Sequence, residues 1–196
     1  MAETLENTII VLIGFAGTGK YTIGRELCQR TGSKLIDNHL IANPVFKVVN
    51  ADGVTPLPSG VWDKIKQIRR MVYEAIRELS PPKMSFVFTV EWRTNNSDDH
   101  KSFADLAELA TARQSLFVPV RLICEVDELC LRVVQPARVE MLKEISAELA
   151  RKKSAEDSVL NPQHPNLRTI DVTRKSPAET VDVILDQVKL IRASNV

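Results

Sequence analysis

Apolar runs bounded by turn residues recur along the chain with amphipathic stretches between them, the pattern of strand, crossover helix and parallel strand. Five runs read as strands: Thr8 to Ile13, Lys34 to Ile36, Met84 to Val90, Val118 to Cys124 and Leu167 to Val172. Most are unbroken series of Val, Ile, Leu and Phe, as expected where helices cover both faces of a parallel sheet. Helices are predicted over Lys20 to Arg30, Val61 to Leu79, Asp99 to Ala112, Asp127 to Val134, about Val139 to Lys153, and Pro177 to Arg192. The last carries its own start signal: Ser176 can cap, Pro177 takes the first helical position, and Glu179 completes a capping box. In the second, a step of about 100° per residue gathers Val61, Ile65, Ile68, Val72, Ile76 and Leu79 into one apolar arc. Arg69 falls at the edge of that arc beside Trp62 and Tyr73, and Arg70 points away. Two turn-rich or polar stretches, Asn50 to Gly60 and Glu91 to His100, interrupt the alternation. The class is therefore α/β.

Composition narrows the picture. With 196 residues, 44% of them apolar, the chain can bury one substantial core and reads as a single domain. Its 26 basic and 25 acidic side chains leave a net charge of +1, so no broad field argues for nucleic acid or an anionic membrane, and any basic site is local. Aromatic residues make up only 5%, which also disfavours a nucleic-acid binder. Cys28, Cys124 and Cys130 lack ligand-like spacing and fit a reducing cytoplasm. The apolar run from Ile9 to Ile13 is too short for a signal core or a membrane span.

The stretch VLIGFAGTGKYTIGREL carries the chemistry. Gly14, Gly19 and Lys20 occupy G-x-x-x-x-G-K positions between a strand and an amphipathic helix, the context that a phosphate-binding loop requires. The backbone from Gly14 to Thr22 can curl so that amides of Ala16, Gly17, Thr18, Gly19, Lys20 and Tyr21 surround a polyphosphate, with the helix adding its positive end. Lys20 then serves the outer phosphates. An ordinary tight turn would explain the glycines but not a lysine just inside a helix start, where positive charge is mildly unfavourable. A dinucleotide fingerprint fails, because Thr22 stands where its last glycine belongs. Tyr21 occupies the usual Ser/Thr position, and a phenol cannot place an oxygen where a short hydroxyl meets Mg²⁺. Metal binding then falls to Thr22, to a water, or to a carboxylate elsewhere. No N-K-x-D guanine signature is present, which disfavours a GTPase.

GFAGTGKYTIGREL resembles the loops of shikimate kinases and related small-molecule kinases, which run G-x-x-G-x-G-K-S-T-x-G-R-x-L. TIDVTRKSPAETVDVIL looks like the last strand and helix of that group, and LIDNHLIANPVF is similar to shikimate-kinase-like ATP-binding proteins. The resemblance implies a three-layer αβα P-loop NTPase fold with a five-stranded parallel sheet in order 2-3-1-4-5. It further implies a substrate-binding insertion over about 38–80, a helical lid over about 135–165, and transfer of the γ-phosphoryl group of ATP, with Mg²⁺, to a small hydroxylated metabolite or antibiotic. The partner would be that small molecule, the chain a monomer or homodimer. Two departures stand out: Tyr21 replaces the metal-binding serine, and the family's D-x-D reads Asp37-Asn38-His39, which argues against shikimate itself.

Ligands of open α/β sheets gather beyond the carboxyl ends of the strands, which selects the remaining candidates. Asp37 matches the first family aspartate and would be general base or an indirect Mg²⁺ ligand; otherwise it is the N-cap of the segment that follows. His39 would touch substrate or satisfy a local bond. By the resemblance Arg69 would grip an anionic acceptor group, against the alternative of an Arg snorkelling from a core edge. The third strand ends FVFTVEW without the acid of mechanical ATPases, arguing against a motor; Glu91 would face the site beside a metal-bound water, or be a solvated loop acid. ELCLRVVQPARVEMLKE resembles the lid entrance: Arg132 matches the arginine that packs on adenine, and Arg138 would neutralise the transferring phosphoryl group, against the alternative of solvated helix charges. A function from another class also fits: a regulatory module that holds ATP without transferring phosphate.

Overall fold

The structure, a computed structural model, describes residues 4–49, 51, 55–136 and 145–194. In it β1 (Thr8–Ile13), β2 (Lys34–Asp37), β3 (Phe86–Val90), β4 (Leu116–Ile123) and β5 (Arg168–Asp171) form one sheet in the order β2-β3-β1-β4-β5, every pair parallel. Seven helices accompany them among the described residues: α1 (Lys20–Thr31), α2 (Asn38–Val48), α3 (Val61–Leu79), α4 (Ser97–Ala112), α5 (Val126–Val133), α6 (Ala147–Glu156) and α7 (Pro177–Ser194).

The unbroken apolar character of β1 follows from its position at the centre of the sheet. Alternate side chains leave a strand on opposite faces: Ile9, Val11 and Ile13 join a core with Ile76, Leu106 and Leu109 of α3 and α4. Ile10 and Leu12 join a second core with Ile23 and Leu27 of α1 and Val181 and Ile184 of α7. A smaller cluster, built on Ile41, Phe46, Val61 and Ile65, holds α2 against α3. No helix among the described residues is long and apolar enough to cross a membrane.

Several boundaries differ from the sequence reading for identifiable reasons. β3 begins at Phe86 rather than Met84, because the Met84 amide closes a turn on Pro81 and the Ser85 hydroxyl takes the Thr8 N–H. A helix not predicted as an element, α2, starts where the Asp37 carboxylate accepts the His39 N–H and runs on through Pro44. Leu79, placed in the α3 apolar arc, is 82% exposed, since the chain leaves the helix at Ser80 and the last turn lies beyond the core. α4 begins two residues early, at Ser97, under an Asn96 cap. Of the helix predicted over Val139 to Lys153, the described part begins at Ala147 under a Ser146 cap and runs on to Glu156; Arg138 and the rest of that prediction up to residue 144 lie outside the described residues.

Candidate active site

The carboxyl ends of β1, β2 and β3 open into a cleft of about 1000 Å³. Its floor is the β1–α1 loop. Gly19, the residue before α1, has φ +81, a left-handed conformation that is inexpensive only for glycine. At Gly14 a Cβ would meet Thr18 Oγ1 at 2.7 Å and the Leu122 carbonyl at 3.1 Å, so the loop folds tightly on itself only without a side chain there. Thr18 is buried, its hydroxyl donating to the Phe15 carbonyl at 2.9 Å. Lys20 curls over this cradle, donating from Nζ to the carbonyls of Gly14 at 2.7 Å and Phe15 at 2.8 Å. A backbone shaped this way, at a helix N-terminus and carrying a lysine, fits a nucleotide polyphosphate. Ala16, Gly17, Gly19, Lys20, Tyr21 and Thr22 all line the cleft.

Tyr21 and Thr22 diverge. The Arg25 guanidinium lies over the Tyr21 ring, 5.8 Å from its centroid, and Thr22 is exposed on the cleft wall. Among the described residues no three His, Cys, Asp or Glu side chains gather into a ready-made metal site.

Other sequence candidates line the same cleft. Asp37 ends β2, where it receives the Thr89 hydroxyl and the His39 N–H, the latter at 3.2 Å. It therefore caps α2 and also faces the cleft. His39 shares Nδ1 with Asn43 Oδ1 at 3.1 Å, meets Phe46 edge-on, and lines the same cavity. Arg69 is half-buried on the cleft wall, where Nη2 donates to Asn38 Oδ1 at 3.2 Å and Nη1 to Ser102 Oγ at 3.5 Å. Nearby, Asp99 accepts the Arg93 N–H at 2.9 Å, yet burial lifts its carboxyl above the ordinary aspartate value. Phe46, Trp62 and Ile65 supply an apolar wall.

Glu91 is not a solvated loop acid. It is half-buried just after β3, with Oε2 accepting the Ala16 N–H at 3.0 Å and Oε1 accepting Lys153 Nζ at 2.9 Å. Burial pushes its carboxyl up, but the ammonium groups of Lys153 and Lys20 and the two hydrogen bonds outweigh that and hold it below the usual glutamate range. Lys153 was not singled out in the sequence, and no local pattern distinguishes it from its neighbours on α6. Thr89 was also missed, although a lone hydroxyl within the apolar run FVFTV was a usable signal.

Arg132 lies on α5 at the edge of the cleft. Its Nε donates to Glu128 at 2.7 Å, and Nη2 reaches the carbonyls of Val172 at 3.1 Å and Thr173 at 3.0 Å, which fixes the guanidinium beside the end of β5.

No described protein family and no curated protein matches the chain by sequence. Solved structures do match. A gluconokinase from Sinorhizobium meliloti superposes with a TM-score of 0.64 at 16% identity, covering 94% of this chain and 93% of its own. A sugar kinase from Janibacter gives 0.64 at 15% identity, covering 93% and 95%. Shikimate kinase from Acinetobacter baumannii, in complex with shikimate, gives 0.52 at 17% identity, covering 99% and 97%. The five-stranded parallel sheet in order 2-3-1-4-5, layered αβα with the glycine-rich loop after its central strand, is the P-loop fold shared with these small-molecule kinases.

Proposed function

We propose that the protein is an ATP-dependent phosphotransferase that moves the γ-phosphoryl group of ATP to a hydroxyl of a small metabolite or antibiotic. The observation that carries this is one continuous cleft lined by Ala16, Gly17, Gly19, Lys20, Tyr21 and Thr22 of the loop together with Asp37 and Arg69. Phosphate cradle and acceptor candidates thus share a space large enough for two small molecules. The neighbouring gluconokinase, sugar kinase and shikimate kinase support the same class of reaction.

In this reading Lys20 and the loop amides other than those of Ala16 and Thr18, which Glu91 and the Phe15 carbonyl take, hold the polyphosphate, and Arg132 borders the adenine. The acceptor oxygen bonds to the γ-phosphorus as the bond to ADP breaks, and Asp37 takes the hydroxyl proton or holds a water of Mg²⁺. Thr22 is the hydroxyl available to the metal, since the Tyr21 ring is committed to Arg25. Mg²⁺, when bound, would neutralise charge on the phosphates. Arg69 receives an anionic group of the acceptor, with His39 beside it and Glu91 bordering the loop. The segment over about 38–80 acts as the acceptor-binding insertion, and that over about 135–165, with Arg138, as the lid. Action in the cytoplasm on a small molecule, as a monomer or homodimer and without nucleic acid, belongs to the same proposal.

Tyr21 favours a second reading, a module that holds ATP without transferring phosphate. Purified protein incubated with ATP, Mg²⁺ and pooled hydroxylated metabolites, with ADP followed, separates the two. Acceptor-dependent ADP is expected. Tight ATP binding with no turnover in any pool supports the module, and no ATP binding at millimolar concentration overturns both.

A further inference from the structure

The carboxylate of Glu91 is an unexpected group to find against a polyphosphate site. A negative charge hydrogen-bonded to the Ala16 amide of the cradle repels any phosphate there unless it is neutralised. Two ammonium groups flank it, Lys20 from the loop itself and Lys153 from α6. Lys20 is the residue that such loops turn toward the outer phosphates. When it does so, Lys153 remains as the ammonium hydrogen-bonded to Glu91. Lys153 lines the same cleft as Gly17, Gly19 and Lys20, and its helix is fixed against the loop through a cluster of Ala16, Val133 and Ala150. An ammonium carries three N–H donors, so it can hold Glu91 and a phosphate oxygen together.

We infer that Lys153 is a second binding cation for the terminal phosphate of the nucleotide, and that Glu91 is the positioning residue that ties it to the loop. Delivered from α6, this charge adds a cation from a second element to the phosphate site. The inference rests on the proposed nucleotide reading, and one calorimetric titration series distinguishes their failures.

The probes are MgATP and MgADP. Lys153→Met is expected to weaken MgATP about tenfold while changing MgADP by less than about threefold, as loss of one charged hydrogen bond to the terminal phosphate would. Lys153→Arg is expected to restore most of the discrimination. Glu91→Gln supplies a test of sign. If Glu91 only repels phosphate, the substitution tightens both nucleotides; if it positions Lys153, the preference for ATP falls although a negative charge has been removed. Because Lys153→Met alone strands a half-buried carboxylate, the Glu91→Gln/Lys153→Met pair is measured as well, with thermal melts of all variants. The pair is expected to match Lys153→Met in its ATP to ADP ratio. An unchanged ratio in that pair overturns the role of Lys153, and equal weakening of both nucleotides assigns it to structure alone. Wild-type protein that binds neither nucleotide overturns the nucleotide reading itself.

Discussion

Asp37 and Thr89 face each other across the β2–β3 register, and the Thr89 hydroxyl donates to the Asp37 carboxylate. The pair locks one oxygen of the carboxylate onto the sheet while the other caps α2, so a group that lines the cleft is held by two elements at once. Asn caps helices about as well as Asp, and with its oxygen kept on the His39 N–H its NH₂ can donate to a Thr89 hydroxyl that rotates to accept, which makes Asp37→Asn chiefly a test of charge. Turnover is expected to fall about a hundredfold, the lower end of general-base effects, with the melting temperature nearly unchanged. Unaltered turnover would leave Asp37 as a cap only. Thr89→Val should act the other way, costing about 1–3 kcal/mol of stability because it strips a buried donor from Asp37 and an acceptor from the Asn38 N–H.

In the proposed reaction Arg69 receives the acceptor. Arg69→Ala removes a guanidinium that spans Asn38 and Ser102 on the cleft wall. With the acceptor found by the ADP screen, its KM is expected to rise about tenfold while that of ATP is unchanged. A parallel rise in both would show that the residue shapes the whole cleft.

Gly14 decides whether the cradle can close. Gly14→Ala drives a methyl group into Thr18 Oγ1 and the Leu122 carbonyl, neither of which can swing away, since Thr18 is buried and hydrogen-bonded and the other atom is backbone. Nucleotide binding is expected to be lost and stability to drop by about 1–3 kcal/mol, with the circular dichroism spectrum of the αβα fold retained. Wild-type ATP affinity in this variant would show that the loop does not bind phosphate in the proposed way.

Glu91 makes stability acid-sensitive. Its carboxyl titrates below the ordinary 4.5 in the folded protein. The stability it contributes is therefore complete above about pH 4.5 and is lost as pH falls through the lowered folded value. In urea melts, wild type should exceed Glu91→Gln at neutral pH, and the gap should narrow progressively below that point. A gap that stays constant on acidification would mean that Lys153 and Lys20 do not hold the charge.

The elements differ in how far the chain announces them. β1 and the loop after it are legible because their causes are local: an apolar run buried on both faces, glycines where no side chain fits, and a lysine at a helix start. α7 is legible for the same reason, its Ser176 and Glu179 making the reciprocal capping bonds expected of them. α2 was hidden by Pro44, and the signal that mattered was Asp37, whose capping role and site role use the same carboxylate. Arg69 could be placed at the edge of an apolar arc, but not opposite Asn38 and Ser102, which lie 31 and 33 residues away along the chain. Glu91 was readable as a residue near the site, but the choice between a held and a solvated acid was not, because its partner Lys153 is 62 residues distant.

By itself the sequence determined the α/β class, the phosphate loop and the residues with chemistry to offer, since period, burial pattern and backbone sterics act over a few neighbouring positions. The tertiary structure alone decided which of them meet. Parallel pairing through crossovers brings β2 beside β3 and α6 over the loop, and only then do Thr89 find Asp37 and Lys153 find Glu91. Such contacts follow from sheet order and packing across tens of residues, which no local pattern encodes.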